Sequence, residues 1–124
     1  MRVPAMLGPI THAVLRVGAG LLFMQHGLQK FGVLGGKAVP LASQMGVAGL
    51  LELVGGFLIV IGLAVRPVAL VLAAEMVVAY VKAHLPKDVW PIHNGGEPAL
   101  LFLLIFVFLI GNGAGAVSVD ARRR

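Results

Sequence analysis

Few side chains in this sequence are equipped for chemistry, and their types narrow what that chemistry can be. There are five carboxylates, four histidines, one tyrosine and no cysteine. Without cysteine the chain forms no disulfide, no thiolate zinc site and no iron–sulfur cluster, so a redox role requires a bound molecule or a partner. His26 and Lys30 close the first apolar segment, Glu52 lies in the second, and Glu97 opens the last. Tyr80 and His84 are four residues apart and share one face of a helix, while Glu75 and Lys82 are seven apart and share another. A neutral histidine, a carboxyl group and a tyrosine hydroxyl around an apolar cavity can hydrogen-bond the two carbonyls of a quinone and pass protons to it. His26, Lys30, Glu52, Tyr80, His84 and Glu97 are therefore the candidate quinone pocket, with a haem clamped between His26 and His84 as a weaker alternative and no cofactor motif in the sequence. Against this stands the reading in which Glu52 and Glu97 only accept bonds from His26 and Lys30 and seal the fold.

A second polar pair is expected deeper in the chain. Arg16 and Glu75 fall at similar depth in their segments, so they are predicted to form an ion pair, either fixing packing register or relaying protons. His84, His93 and Glu97 have the right ligand types for zinc or iron, but their spacing matches no ligand motif, and no metal site is predicted.

The elements that must hold these groups are unusually apolar. Of the 124 residues 59% are hydrophobic and only 12% charged, far from the composition of an ordinary soluble domain. Ten basic residues against five acidic give a formal charge of +5, but the basic residues are scattered among apolar runs and form no single face for nucleic acid. Four apolar segments, about 10–29, 46–65, 68–85 and 99–117, each approach the ~20 residues needed to cross a bilayer. They lack the period-two alternation of membrane strands, so the predicted fold is all-α, a single domain forming a four-transmembrane-helix bundle. Lys30 to Met45 and Pro86 to Pro98 read as loops on one side, and Arg66-Pro67 as the hairpin joining the second and third spans. The first segment contains Arg16, Gln25 and His26 and no cleavage pattern after Lys30, which favours a retained helix over a secretory signal.

Arg2, Arg66 and the run Arg122 to Arg124 fall on one side of such a bundle, and Lys30, Lys37 and Lys87 on the other, with Lys82 near that end. The excess places both termini in the cytoplasm and brings the arginine run to anionic headgroups. Small residues inside the spans, Gly20, Gly55, Gly56 and Gly62 among them, predict close helix contacts, and Gly111-x-x-x-Gly115 is a candidate contact with a second copy. Trp90 reads as an interface anchor.

Several short motifs occur in order along the chain: His26-Gly-Leu-Gln-Lys-Phe-Gly32, Ala48-Gly-Leu-Leu-Glu-Leu-Val-Gly-Gly56, Gly62-Leu-Ala-Val-Arg-Pro67, Asn94-Gly-Gly-Glu97 and Gly115-Ala-Val-Ser-Val-Asp120. Together with Met76 to Pro86 they resemble the DoxX family of small bacterial membrane proteins over nearly the whole chain. The resemblance implies a four-helix protein of the bacterial cytoplasmic (inner) membrane, associated with quinone-linked oxidoreductase systems. Residues matching the family's polar positions are His26, Lys30, Glu52, Arg66, His84, Asn94, Glu97 and Asp120. Gly115-Ala-Val-Ser118 departs from the pattern, since a basic or aromatic residue is expected between that glycine and serine.

Three functions follow from these observations. The first is a quinone- or quinol-binding subunit working with a membrane oxidoreductase partner that supplies electrons. The second is a non-catalytic scaffold or assembly subunit that binds a partner or a second copy through small-residue faces. The third, a small-solute or ion pathway, would need oligomerisation, because one four-helix unit has no inverted repeat.

Overall fold

The computed structural model describes residues 1–123, and among them every regular element is a helix. Six α-helices follow in order: α1 (Leu7–Lys30), α2 (Gln44–Ile61), α3 (Val65–Ala79), α4 (Pro91–Asn94), α5 (Glu97–Asn112) and α6 (Val119–Arg122). A π turn, Tyr80–His84, prolongs α3 without a break.

The helices start and stop where backbone chemistry dictates. Ser43 caps α2 by accepting the Gly46 amide on its hydroxyl at 3.1 Å. The same helix ends at Gly62, whose φ of 76° is the left-handed conformation that glycine adopts without a Cβ penalty. The hairpin between α2 and α3 is thus Gly62 to Ala64, and Arg66-Pro67, expected as the turn, lies in the first turn of α3. The last apolar run was expected to be helical to Val117. It stops at Asn112, because Gly113 and Gly115 take φ of 71° and 81°, outside the helical region. Hydropathy continues through Ala114, Ala116 and Val117 while the backbone turns away.

α1 and α2 form an antiparallel pair held at close range by glycine. A Cβ on Gly20 would lie 2.9 Å from the Gly56 carbonyl oxygen, and one on Gly27 would lie 2.7 Å from that of Gly49. α3 packs on α5 as a second pair, whereas α2 and α3 meet along a thinner seam. Phe23 of α1 ties the pairs together by edge contact with Phe106 at 4.9 Å and tilted contact with Phe102 at 5.0 Å. Around these rings Ile59, Val65, Ala69, Leu72, Met76 and Leu109 are buried and make the core.

The outer surface is apolar as well. Leu21, Leu22, Leu50, Val54, Phe57, Leu70, Val77, Leu101, Leu104 and Val107 are all exposed, while Arg16 and Glu52 are buried. A continuous apolar girdle on the outside with charge on the inside matches lipid rather than water as the solvent. Two helices, α1 and α2, are long and apolar enough to cross a membrane on length and composition; α5 is apolar but shorter, at 16 residues.

Candidate functional site

Polar side chains gather at two levels of the bundle. At the first, Arg16 is almost fully enclosed, 2% exposed, although it carries a permanent charge. Its guanidinium donates to four backbone carbonyls: Ile59 from Nε at 2.9 Å, Val60 and Val117 from Nη2 at 3.3 and 2.8 Å, and Ala114 from Nη1. Ile59 and Val60 belong to the last turn of α2; the Ile59 carbonyl also accepts the Gly62 amide at 3.2 Å, and the cation adds to these bonds and complements the negative end of the helix dipole. Asp120 does the converse at the start of α3. Its carboxylate accepts the amides of Ala64 at 2.8 Å and Val65 at 3.0 Å, and its own amide donates to the Gly62 carbonyl at 2.9 Å. His12 completes this level, donating from Nε2 to the Gly113 carbonyl at 3.0 Å with its ring edge-on to Phe108.

This arrangement corrects one expectation: Arg16 does not pair with Glu75. Depth along the two helices is similar, but depth says nothing about helical phase, and Glu75 points into the other polar level.

There, Lys30 at the end of α1 reaches Glu52, placing Nζ 3.0 and 2.8 Å from the two carboxylate oxygens. Glu52 is 4% exposed, so the pair is largely dry. Glu75, on α3, faces both Glu52 and Lys30, and its Oε1 is buried with no hydrogen-bond partner. These three groups line a cavity of about 530 Å³ between α2 and α3, with Lys82 and His84 at its α3 end. The remaining walls, from Met45, Val47, Ala48, Leu51, Val71 and Val78, are apolar. The seven-residue spacing of Glu75 and Lys82 is what puts both side chains on this wall.

His84 and Tyr80 are set by the loop that follows. A carbonyl oxygen can only accept, so the 3.1 Å contact between His84 Nδ1 and the Asn94 carbonyl makes Nδ1 a protonated nitrogen and leaves Nε2 outside that bond. Asn94, 2% exposed, is the hub of this corner. Its Nδ2 donates to the Tyr80 hydroxyl and the Asp88 carbonyl, each at 3.0 Å, and its Oδ1 accepts the Gly96 amide at 2.7 Å. Asn94 was not among the candidate pocket residues; its place in the Asn94-Gly-Gly-Glu97 motif was the signal available.

Of the six candidates, Lys30, Glu52 and His84 line one cavity, and Tyr80 stands beside His84 with ring centroids 6.1 Å apart. His26 is not on its wall: the ring packs edge-on against Phe102 at 5.7 Å, toward α5. Glu97 is exposed at the first position of α5, where a carboxylate complements the helix dipole, and is not part of the cavity. Among the described residues no group of three potential ligands could hold a metal ion.

Comparison with known proteins completes the description. A protein of Haemophilus influenzae, itself uncharacterized, is 37% identical over 120 residues, covering 90% of each chain. CatD of Bacillus subtilis, provisionally named an oxidoreductase, is 32% identical over 86% of this chain and 82% of its own. An uncharacterized membrane protein of Mycobacterium tuberculosis is 29% identical over 93% of this chain and 82% of its own. No solved structure matches the sequence. The DoxX family model aligns with residues 11–85, a stretch that holds Arg16 and every charged residue of the cavity. Matched over that length, the chain belongs to the DoxX family.

Proposed function

We propose that this chain crosses the bacterial cytoplasmic membrane four times, with both termini in the cytoplasm, and binds a quinone or quinol between α2 and α3 as a subunit of a membrane oxidoreductase complex. The helices measure ~36 Å for α1, ~27 Å for α2, ~30 Å for α3 with its π turn and ~24 Å for α5, against a hydrocarbon core of ~30 Å. Contacts of His12 with Gly113 and of Arg66 with the Ile110 carbonyl bring the N-terminal region, the α2–α3 hairpin and the C-terminal segment to one end, as an even number of crossings requires. That end carries Arg2, Arg66, Arg122 and Arg123, and the opposite end Lys30, Lys37, Lys82 and Lys87; Arg124, the last of the expected arginine run, lies outside the described residues.

The observation that carries the ligand reading is the unpartnered Glu75 Oε1 on the wall of a cavity that is otherwise apolar. Buried polar atoms are nearly always satisfied, and one left open beside a cavity is a place for a ligand group. A bound quinone supplies two-electron chemistry coupled to proton uptake, its electrons exchanged with a partner protein. This chain's residues fit that group. Lys30 Nζ, oriented by Glu52, donates toward a ring oxygen; Glu75 Oε1 accepts from a hydroxyl; His84 Nε2 holds or releases a proton at the rim. The apolar walls exclude water from the ring. CatD's name supports an oxidoreductase setting. A pure scaffold calls for a dry, fully paired interior, and the open Glu75 oxygen argues against it.

Native mass spectrometry of the gently solubilised protein, followed by organic extraction, tests the reading. Stoichiometric quinone that is lost in Glu75→Leu is the expected result. A protein that carries no quinone and takes up none from a short-chain ubiquinone analogue overturns it.

A further inference from the structure

The space between α2 and α3 does not end at the carboxylates. Leu51 and Val71, which line the polar cavity, also line a second hollow of about 410 Å³ that continues toward the α2–α3 hairpin. Its walls, among them Leu50, Val54, Leu58 and Val68, are apolar throughout. Because the two hollows share residues they form one groove, following the seam where α2 and α3 pack least. Gly55 lets Leu72 lie against the floor, since a Cβ there would come within 2.8 Å of Leu72 Cδ2. Leu50, Val54 and Val71 are about half exposed, so the groove opens sideways toward lipid. From Glu75 back to Pro67, α3 provides ~12 Å of wall.

We infer that the occupant is a prenylated, membrane-resident quinone, its ring among Lys30, Glu52 and Glu75 and its tail laid along the apolar groove, entering sideways from the bilayer. This rests on the quinone reading above. Charge selects the occupant. The polar end holds two carboxylates and two lysines, Glu52, Glu75, Lys30 and Lys82, whose formal charges cancel, and Lys30 is already engaged by Glu52. A phospholipid would add an anionic phosphate to this balanced set, whereas a quinone ring is uncharged and leaves it balanced. A tailless quinone would leave the second hollow unused. The tail gains no hydrophobic energy on leaving lipid, so its contribution is close packing in a preformed groove.

The test uses the detergent-solubilised full chain, titrated with a tailless dimethoxy-benzoquinone and with the same ring carrying a three-unit prenyl tail. Val54 lines only the apolar hollow, so Val54→Trp fills the tail groove and leaves the ring site alone. The expected result is at least a tenfold loss of affinity for the tailed quinone with the tailless one changed less than twofold. Partition of the tail into micelles cannot produce this, being the same for both proteins. Leu50→Trp, at a second lipid-facing position of the same wall, replaces Val54→Trp if that variant does not fold. In the unaltered protein, a diazirine at the tail's end should cross-link to residues 50–58 or 68–72. Equal loss for both quinones, no loss for either, or cross-links elsewhere overturn the tail groove while leaving the ring site standing. No binding of either quinone by the unaltered protein overturns the ring site, and the groove with it.

Discussion

The two polar levels of this bundle are made from similar residues, yet one is saturated and the other is not. Around Arg16 and Asp120, the side chains bond to backbone groups: carbonyls of the last turn of α2 and of the segment after α5, and the first amides of α3. Around Glu75, side chains face side chains across a cavity, Lys30 pairs with Glu52, and an oxygen of Glu75 lacks a partner. In a lipid-solvated bundle a buried charge is tolerated when something inside answers it. The first level is answered by the fold itself. The second is answered only in part, and a ligand group can supply the remainder.

Substitutions should separate the levels by what they damage. Arg16→Leu should have the largest effect, since it leaves several buried carbonyls open at ~1–3 kcal/mol each. It should reduce folded protein in membranes to a small fraction of normal and lower Tm in detergent by more than any other single change described here. An Arg16→Leu protein of normal abundance and Tm would erase the distinction. Glu52→Gln comes next: breaking a buried pair costs up to ~3–5 kcal/mol, reduced here because the Lys30 side chain is 18% exposed and can turn toward water. A clear fall in Tm together with weaker quinone binding is expected, and an unchanged Tm would detach Lys30 from the structural account. Asp120→Ala removes the carboxylate that holds the first amides of α3 and should cost ~1–2 kcal/mol, with no change in quinone binding. Glu75→Leu should be the mildest for stability, within ~0.5 kcal/mol or stabilising, because it removes an unpaired buried oxygen, yet it should weaken quinone binding at least tenfold. If it destabilises as much as Glu52→Gln, Glu75 belongs to the structural level after all.

The parts that were legible in the sequence are those governed by composition and period. Apolar runs located the long helices, although α2 ends at Gly62 inside the run expected to span 46–65, and Lys30, Glu52 and His84 line one cavity. The errors have two physical origins. Glu75 was matched to Arg16 because rise per residue gives depth, whereas a partner is chosen by rotation about the axis; its seven-residue spacing from Lys82 held the rotational information. Glu97 and His26 were grouped with the pocket because a loop and a helix end can approach several neighbours, and only packing decides which. His26 is turned toward Phe102. The end of α5 was overrun for another reason: hydropathy reports where a segment is comfortable, not its φ, and Gly113 and Gly115 leave the helix inside an apolar stretch.

The knot at Arg16 also has a dimension in time. Ala114 and Val117 lie 98 and 101 residues downstream of the guanidinium they satisfy. At synthesis rates of roughly 5–20 residues per second, their carbonyls emerge about 5–20 s after Arg16 does. Until then the buried cation has only the end of α2 to hold, and the amides of Ala64 and Val65 wait for Asp120 in the same way. Residues translated about a hundred positions later are thus the ones that close a gap opened by α1. A ribosome stalled before Gly113 would leave a protein with its apolar helices made and its charge still unanswered, a state that a membrane quality-control protease could tell from the finished one.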